Sequence, residues 1–239
     1  MPRNILGSGE SVARATAIIC WIAAHPVAVS AGEIDTLLFG SLDAGAATFL
    51  TLGAKAAWEA LDRDGFVALA SLGGGRRDER GSDGPRQRYT VSTAAVLGYQ
   101  WCFDWGVLAA YAGPEASAEM LRDGRGVSAR EPQLGLRLHG EVWARPTEAT
   151  LLQATAVAGS ARDSLWVRLA GGYRIWETYL GPEVSAYADA TGYRKWCLGL
   201  HGTDFALGRY SVRVSAGLQT ETGRRAPGPY LALAVWSPW

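Results

Sequence analysis

The sequence predicts an all-β protein, an antiparallel up-and-down transmembrane β-barrel of about twelve strands. Three observations predict this fold class. Apolar and polar residues alternate along repeated segments of about ten residues, short and long connections alternate between the segments, and aromatic residues gather beside the short connections. Together these features are typical of outer-membrane barrels, which have an even number of antiparallel strands in bacterial single-chain examples.

Alternation with a period of two is clearest at 133–143, QLGLRLHGEVW, and recurs at 195–201 and 209–219. In the first segment, leucines point to one side while Arg137 and His139 point to the other. Such alternation predicts a sheet with two unlike faces. The predicted strands lie near 34–44, 46–59, 65–76, 88–102, 105–119, 131–145, 149–160, 164–175, 177–188, 193–205, 208–222 and 228–237.

The connections between these segments differ by parity. Those after even-numbered segments are short, namely LDRD, FD, RPTEA, WE and ALG. Several after odd-numbered segments are longer and polar, namely RRDERGSDGPRQ, LRDGRGVSARE, DATGY and GRRAPG. Bacterial barrels have short periplasmic turns and longer extracellular loops, so we expect the short turns to lie on the periplasmic side.

Aromatic residues support the same orientation, because they flank the short turns or the chain end and predict an interfacial girdle at one rim. These residues are Trp58, Phe66, Trp101, Phe103, Trp105, Trp143, Trp176, Phe205, Tyr210, Trp236 and Trp239. The alternative is a soluble β-sandwich or a lipocalin-like barrel, in which the leucine and valine faces would form the core. A soluble sandwich gives no reason to segregate tryptophan by turn parity.

The N-terminus predicts a cleaved secretory signal peptide at 1–31, followed by a single barrel domain at 32–239. Arg3 and Arg14 precede the apolar stretch ATAIICWIAAHPVAV, and small residues end it before Gly32. The predicted location is therefore the outer membrane of a Gram-negative cell, with outer-membrane lipid as a partner. The chain has 23 basic and 23 acidic residues, which argues against nucleic acid as a partner.

Charged residues on the polar face would project into the lumen, where a carboxylate is tolerable when it is paired. The sequence repeats Gly-Pro-Glu at 113–115 and 181–183, and we expect both glutamates to turn inward and both prolines to face outward or sit at bulges. The predicted lumen charge network comprises Glu115, Arg137, His139, Glu141, Arg168, Arg174, Glu183, Lys195, His201 and Arg213.

No catalytic, cofactor-binding or metal-binding residue is predicted. His139 and His201 lack a spacing that selects a nucleophile such as Ser215 or Ser185, so they are interpreted as polar lumen residues. The run GGGRR at 73–77 lacks the ending of a P-loop and is interpreted as a strand end entering an outer loop. Cys102 and Cys197 fall near opposite rims and are not expected to form a disulfide.

The order of several segments resembles the BcsS family of cellulose biosynthesis proteins in proteobacteria. The segments are LDRDGF, the two Gly-Pro-Glu strands, GYRIWETYLGPEVSAY, YRKWCLGLHGTDFALGRYSVRVSAGL and GPYLALAVW, and the resemblance spans about 40–239. It implies an outer-membrane barrel associated with cellulose synthase operons and no assigned catalytic residue. Cellulose or other cellulose-synthase components are the partners that it implies.

Three functions remain open from the sequence. The first is a non-enzymatic barrel accessory to cellulose biosynthesis, serving export, anchoring or organisation of cellulose at the cell surface. The second is a small barrel enzyme that acts on lipid or glycan, with His139 or His201 as base. The third is a generic narrow pore or structural barrel. Tyr193 and Trp196 are the nearest candidates for a glycan-binding platform, and outer-rim positions in the girdle are their simpler interpretation.

Overall fold

A computed structural model describes residues 35–81 and 84–239, all in one compact unit. The predicted signal peptide at 1–31 lies outside the described residues. The strands are β1 (Thr36–Ala44), β2 (Ala47–Ala57), β3 (Gly65–Gly81), β4 (Gly84–Phe103), β5 (Gly106–Asp123), β6 (Gly126–Ala129), β7 (Gln133–Thr147), β8 (Thr150–Gly159), β9 (Ser164–Ile175), β10 (Thr178–Ala188), β11 (Arg194–Leu207), β12 (Tyr210–Glu221) and β13 (Gly228–Pro238). Within these ranges no helix is long and apolar enough to cross a membrane.

Twelve of the strands form a closed antiparallel barrel, which confirms the predicted fold class. The ring closes where β1 pairs with β13, from Leu37 opposite Pro238 to Ala44 opposite Leu231. On the other side, β5 pairs with both β4 and β7. The short β6 pairs only with the distal end of β5 and makes a hairpin extension beyond the ring.

The two faces of the barrel are inverted relative to a soluble protein. Leu134, Leu136 and Leu138 of β7 are 83%, 67% and 60% exposed. Across the lumen, Glu183 and Arg213 are 4% and 3% exposed. Apolar side chains therefore face outward and polar ones inward, as lipid around the barrel requires. This pattern excludes the soluble sandwich.

The described residues of the predicted loop RRDERGSDGPRQ belong to two strands. β3 continues to Gly81 and β4 begins at Gly84, and β3 pairs with β4 along its whole length. The run GGGRR consequently lies inside β3. Cross-strand ion pairs hold this extension together, because Glu79 bonds both Arg86 and Arg88 of β4. Above the apolar band both faces of a strand can be polar, so the hydrophobic alternation that marks the rest of β3 is not needed there.

Both Gly-Pro-Glu motifs interrupt one ladder without changing register. Pairing of β5 with β4 breaks at Gly113 and Pro114, and pairing of β10 with β9 breaks at Gly181 and Pro182. On the other side the ladder continues through both prolines. Each proline faces outward, and its missing N–H falls on the interrupted side, so no bulge is required.

The aromatic girdle is correct for nine of its eleven residues, which are exposed at the end of the barrel with the short turns, hereafter the turn end. Trp143 and Trp236 are exceptions. Trp143 shares the inward phase of His139 on β7, and Trp236 pairs with Ser211 in the inward phase of β12. Their rings lie 5.6 Å apart inside the barrel. The girdle prediction was wrong for these two because parity along the strand decides the face.

Cys102 and Cys197 are free thiols. Cys102 lies on β4 beside the β4–β5 turn, whereas Cys197 lies on β11 near the opposite end, hereafter the loop end. The two residues belong to different levels of the barrel wall.

Candidate functional site

The loop end of the lumen is spanned by six charged side chains that alternate in sign, hereafter the mouth ring. Its members are Arg77, Glu79, Arg88, Glu119, Arg162 and Asp189. They come from β3, β4, β5 and two loops. Glu119 is the central acceptor on one side, where it accepts hydrogen bonds from Arg88 and Arg162.

The ring closes on itself across the barrel. Glu79 accepts bonds from Arg77 at 2.7 Å and from Arg88 at 2.6 Å. Asp189 accepts bonds from Arg162 at 2.8 Å and from Arg77 at 3.2 Å. Arg77 lies on β3 and Asp189 directly follows β10, which is six places away in the ring of twelve strands. A barrel of this size is roughly 24 Å between opposite backbones, so contact across it requires long side chains and an inward-folded loop.

Asp189 is the acidic anchor of the mouth ring, and its side chain is fully buried. Burial would raise the pKa of this carboxyl, but hydrogen bonds from Thr191 and Arg162 and the charges of Arg77 and Arg162 together lower it to about 2. The Tyr187 hydroxyl also donates to it at 3.1 Å. Asp189 is therefore ionised throughout the physiological pH range.

Tyr193 packs against Arg77 of the mouth ring. The Arg77 guanidinium lies 4.1 Å from the centre of its ring, and its hydroxyl donates to Glu221 at 2.7 Å. Burial and the bond to Glu221 raise the pKa of the Tyr193 hydroxyl. Trp196 lies on the outward face of β11 and is exposed, as a rim position would be.

A second cluster crosses the middle of the barrel and includes one of the repeated glutamates. Glu183 accepts hydrogen bonds from Arg213, from the Ser215 hydroxyl at 3.2 Å and from the Tyr230 hydroxyl at 3.4 Å. Arg213 also donates to Gln153 on β8, four strands away. The arginine partner of Glu183 thus lies two strands away, on β12.

The other repeated glutamate ties the wall to a loop. Glu115 accepts bonds from Arg137 at 3.0 Å and from the backbone N–H of Ala161 at 2.9 Å. Arg137 continues to the Ser71 hydroxyl on β3 at 3.3 Å. The carboxylates of both Gly-Pro-Glu motifs thus face the lumen, but they bind different partners.

Glu141 forms a third cross-lumen connection. It accepts bonds from Lys55 of β2 and from the Tyr111 hydroxyl, each at 2.8 Å. His139 lies 3.9 Å from the same carboxylate, and its ring packs against Tyr111 with centroids 5.2 Å apart. Lys55 connects distant parts of the wall here, since β2 and β7 are four places apart in the ring.

The remaining members of the predicted network are not brought into these clusters. Arg168 and Lys195 face the interior but form no ion pair within the described part of the chain, and the Arg168 guanidinium lies over Trp166. Arg174 lies at the exposed turn end and pairs with Glu177 at 3.3 Å. His201 shares a hydrogen bond with Thr203 at 2.8 Å and contacts the Gly171 carbonyl oxygen at 3.2 Å.

The turn end is also spanned by side chains. Trp143 and Trp236 meet edge to face from strands that are six places apart. Beside them Arg145 donates to Asp204 of β11 at 2.7 Å. The fully buried Gln100 donates to carbonyl oxygens of the β2–β3 turn, at 2.8 Å for residue 63, and so draws this turn against the interior.

An apolar cluster fills the interior next to that turn. It is formed by inward-facing side chains of β3, β4 and β5, with further contacts from β1 and the β2–β3 turn. Its buried members are Val67, Leu69, Ala94, Val96, Ala109 and Tyr111. The lumen therefore resembles a packed core at this level.

Sequence analysis missed the mouth ring, Lys55 and Gln153. Arg77 and Glu79 were assigned to a loop because they interrupt the apolar pattern, whereas Arg88 and Glu119 stood at the ends of predicted strands. A signal for it is present in the alternate spacing of Arg77 and Glu79, which predicts one polar face if the strand continues. Gln153 and Lys55 stand alone in Ala-rich strands, so nothing local marks them.

In the described residues no group of three or more His, Cys, Asp and Glu side chains is arranged to hold a metal ion. Neither histidine places a serine or cysteine in its hydrogen bonds. Both ring nitrogens of His201 are engaged by Thr203 and Gly171, and Thr203 itself is fully buried. Among the described residues these side chains bridge the barrel walls, and the hydrogen-bond partners of His201 are Thr203 and the Gly171 carbonyl oxygen.

The family model described as cellulose biosynthesis protein BcsS matches residues 37–239, which is nearly all of the barrel. Among curated proteins, none matches this chain.

Solved structures with a similar fold are outer-membrane proteins. The KdgM porin has a TM-score of 0.50 and 9% identity, and the alignment covers 85% of this chain and 99% of the porin. The translocator domain of the autotransporter NalP from Neisseria meningitidis has a TM-score of 0.47 and 12% identity, covering 95% of this chain and 96% of that domain. At such identities the likeness concerns the fold alone.

Proposed function

Because the chain belongs to the BcsS family of cellulose biosynthesis proteins, we propose that it is a non-enzymatic outer-membrane accessory that anchors or organises cellulose at the cell surface. In this proposal the glucan chain does not pass through the barrel. The barrel is a rigid membrane support for its outward-facing hairpins, and export proceeds elsewhere.

One observation carries the proposal: side chains connect opposite walls at both ends of the lumen. The mouth ring joins β3 to the loop after β10, and Trp143 meets Trp236 at the turn end. A glucan chain is several ångströms wide even when extended, and a free path for it would require both closures to open together. Interior ion pairs with few exposed atoms also resist opening, since separating them leaves uncompensated charge.

The proposal of a non-enzymatic role rests on the surroundings of the two histidines. Catalysis by a histidine base needs a nucleophile at about 2.6–3.2 Å that substrate can reach. The neighbour of His201 at 2.8 Å is the buried Thr203, and His139 packs against Tyr111. Both histidines lie between the two closures, away from lipid and extracellular glycan.

A deletion in the native host tests the proposed role. We expect surface-retained cellulose to fall, cellulose released to the medium to rise, and periplasmic glucan to stay at the wild-type level. Accumulation of glucan in the periplasm would overturn the proposal in favour of export. Unchanged amounts of all three would remove the protein from cellulose biosynthesis.

Complementation distinguishes a lumen route from a surface role. The double variant Trp143→Ala with Trp236→Ala removes the turn-end closure, and Trp58→Ala with Trp196→Ala is a matched control on the outer surface. Both variants are expected to restore cellulose retention equally. Greater total cellulose export with the first variant alone would indicate that the lumen carries the glucan.

A further inference from the structure

A groove of about 550 Å³ lies on the outer face of β2, β3 and β4 near the loop end. Two cross-strand rows line it. Leu50, Gly74 and Val91 form the lower row, and Thr48, Arg76 and Tyr89 form the upper row. We call this feature the Gly74 groove.

Gly74 creates the depression. Leu50 and Val91 are 48% and 53% exposed on either side, and nothing projects between them. A Cβ at Gly74 would meet no atom nearer than 3.8 Å. Its neighbours are different, since a Cβ at Gly73 or Gly75 would approach the Phe49 ring to 2.8 or 2.2 Å. Packing against Phe49 thus explains the flanking glycines, whereas no internal contact requires glycine at 74.

The height of the upper row matches the membrane boundary. Phe66 belongs to the turn-end girdle, and Arg76 follows ten residues later on the same strand. Ten residues at about 3.4 Å each, tilted by about 40°, rise roughly 26 Å along the membrane normal. The apolar band of such barrels is about 25 Å tall. Arg76 therefore lies at the headgroup level of the outer leaflet, and the lower row lies at acyl-chain level.

The charge at this level is cationic and unused by the protein. Arg76 is exposed and forms no ion pair within residues 35–81 and 84–239, whereas the adjacent Arg77 is buried in the mouth ring. Arg122 of β5 is a second exposed arginine, one row above Arg76 and two strands away, also without an ion pair in that part of the chain. Asp78 is a carboxylate on this face, and it accepts a hydrogen bond from Gln87 at 3.2 Å.

We propose that the Gly74 groove binds a phosphorylated, multiply acylated glycolipid of the outer leaflet, of the lipid A class. One acyl chain occupies the depression between Leu50 and Val91, and Arg76 pairs with a phosphate directly above it. Arginine suits this contact because its guanidinium can bind phosphate oxygens bidentately. The proposal is independent of how the protein serves cellulose.

The chain offers a matched control for the apolar part. A second groove of about 300 Å³ lies on the outer face around Gly140, between Leu138 and Leu165, and no arginine lines it. A Cβ at Gly140 meets nothing within 4 Å, so it accepts a larger residue as readily as Gly74. The variants Gly74→Leu and Gly140→Leu therefore fill two lipid-facing grooves that differ in charge.

Native mass spectrometry of the detergent-solubilised protein, titrated with lipid A or with its dephosphorylated form, tests the proposal. We expect wild-type protein to bind lipid A, and Arg76→Ala and Gly74→Leu each to lower the affinity about tenfold. Gly140→Leu should stay within about twofold of wild type, and dephosphorylated lipid A should bind wild type no better than lipid A binds Arg76→Ala. Gel mobility of the folded barrel checks that each variant is assembled.

Equal binding of lipid A by wild type, Arg76→Ala and Gly74→Leu would overturn the proposal. Dimers that disappear with Gly74→Leu and are unaffected by added lipid A would overturn it in favour of a second copy of the chain. An equal loss of lipid A affinity with Gly74→Leu and Gly140→Leu would also overturn the proposal, because acyl chains would then bind both grooves whether or not an arginine lies beside them.

Discussion

The buried pair Glu183–Arg213 offers the sharpest test of the packed lumen. The carboxyl and guanidinium side chains are 5% and 3% exposed. Glu183→Gln leaves the Arg213 cation with only the neutral acceptors Gln153 and Ser215, and Arg213→Met leaves the Glu183 carboxylate with only hydroxyl donors. Each single change is expected to lower the free energy of unfolding by about 3 kcal/mol, because it strands one buried charge.

The double variant removes both charges together. The double variant should lower the free energy of unfolding by about 3 kcal/mol. Additive single losses would lower it by about 6 kcal/mol, so the coupling between the two groups is about 3 kcal/mol. Urea unfolding of the barrel in lipid vesicles, followed by tryptophan fluorescence, measures all four free energies. Additive costs within about 0.5 kcal/mol would refute the inference that these two groups pair inside a desolvated lumen.

The exposed pair Arg174–Glu177 is the matched control. Its atoms approach to 3.3 Å, and the side chains are 43% and 88% exposed at the turn end. Arg174→Met and Glu177→Gln should each change the free energy of unfolding by less than about 0.5 kcal/mol and should add. A coupling of similar size in this exposed pair would show that the measured coupling depends on the distance between the charges and not on their burial.

Two further predictions concern the mouth ring and the wall. The pKa of Asp189 is lowered from 3.8 to about 2. The stabilising contribution of its carboxylate is therefore fully present above about pH 4 and is lost as pH falls through 2. A fluorophore on the β10–β11 loop should report no change from pH 8 to 5, and opening of the loop in that interval would contradict the assignment. Gly181→Val should block assembly of the barrel, because a Cβ there would lie 2.0 Å from the Gly171 carbonyl oxygen. Gly140→Val is the control, since a Cβ at Gly140 has open space around it. Gel mobility compares the two variants, and normal assembly of Gly181→Val would contradict the close approach of β10 to β9 at this point.

Strand number and the place of both Gly-Pro-Glu motifs follow from periodicity, and the orientation of faces follows once the alternating connection lengths and the aromatic positions favour a membrane barrel. A strand that alternates Leu134, Leu136 and Leu138 with Arg137 and His139 can bury its polar residues only inside a barrel surrounded by lipid. Register then follows from parity, since a shift by one residue would exchange the two faces.

Partners across the lumen could not be predicted in the same way. The sequence identifies that Glu183 faces inward, but the choice of Arg213 over Arg168 depends on strand tilt and side-chain length. The extension of β3 was hidden because polar residues fill both faces of a strand above the membrane, where alternation no longer signals structure. Trp236 was assigned to the girdle by its proximity to the chain end, although its phase with Tyr230 places it inside.

Single-channel recording in planar lipid bilayers tests the closed lumen most directly. The wild-type barrel is predicted to show no stable open-channel steps, because the mouth ring and the Trp143–Trp236 contact close both ends. A variant that combines Arg162→Ala, Trp143→Ala and Trp236→Ala should still lack large steps, because Arg77 still reaches Asp189, Arg213 still reaches Gln153 and Lys55 still reaches Glu141 across the lumen. Large, stable steps from the wild-type protein would contradict the account, since they require a continuous path through the lumen.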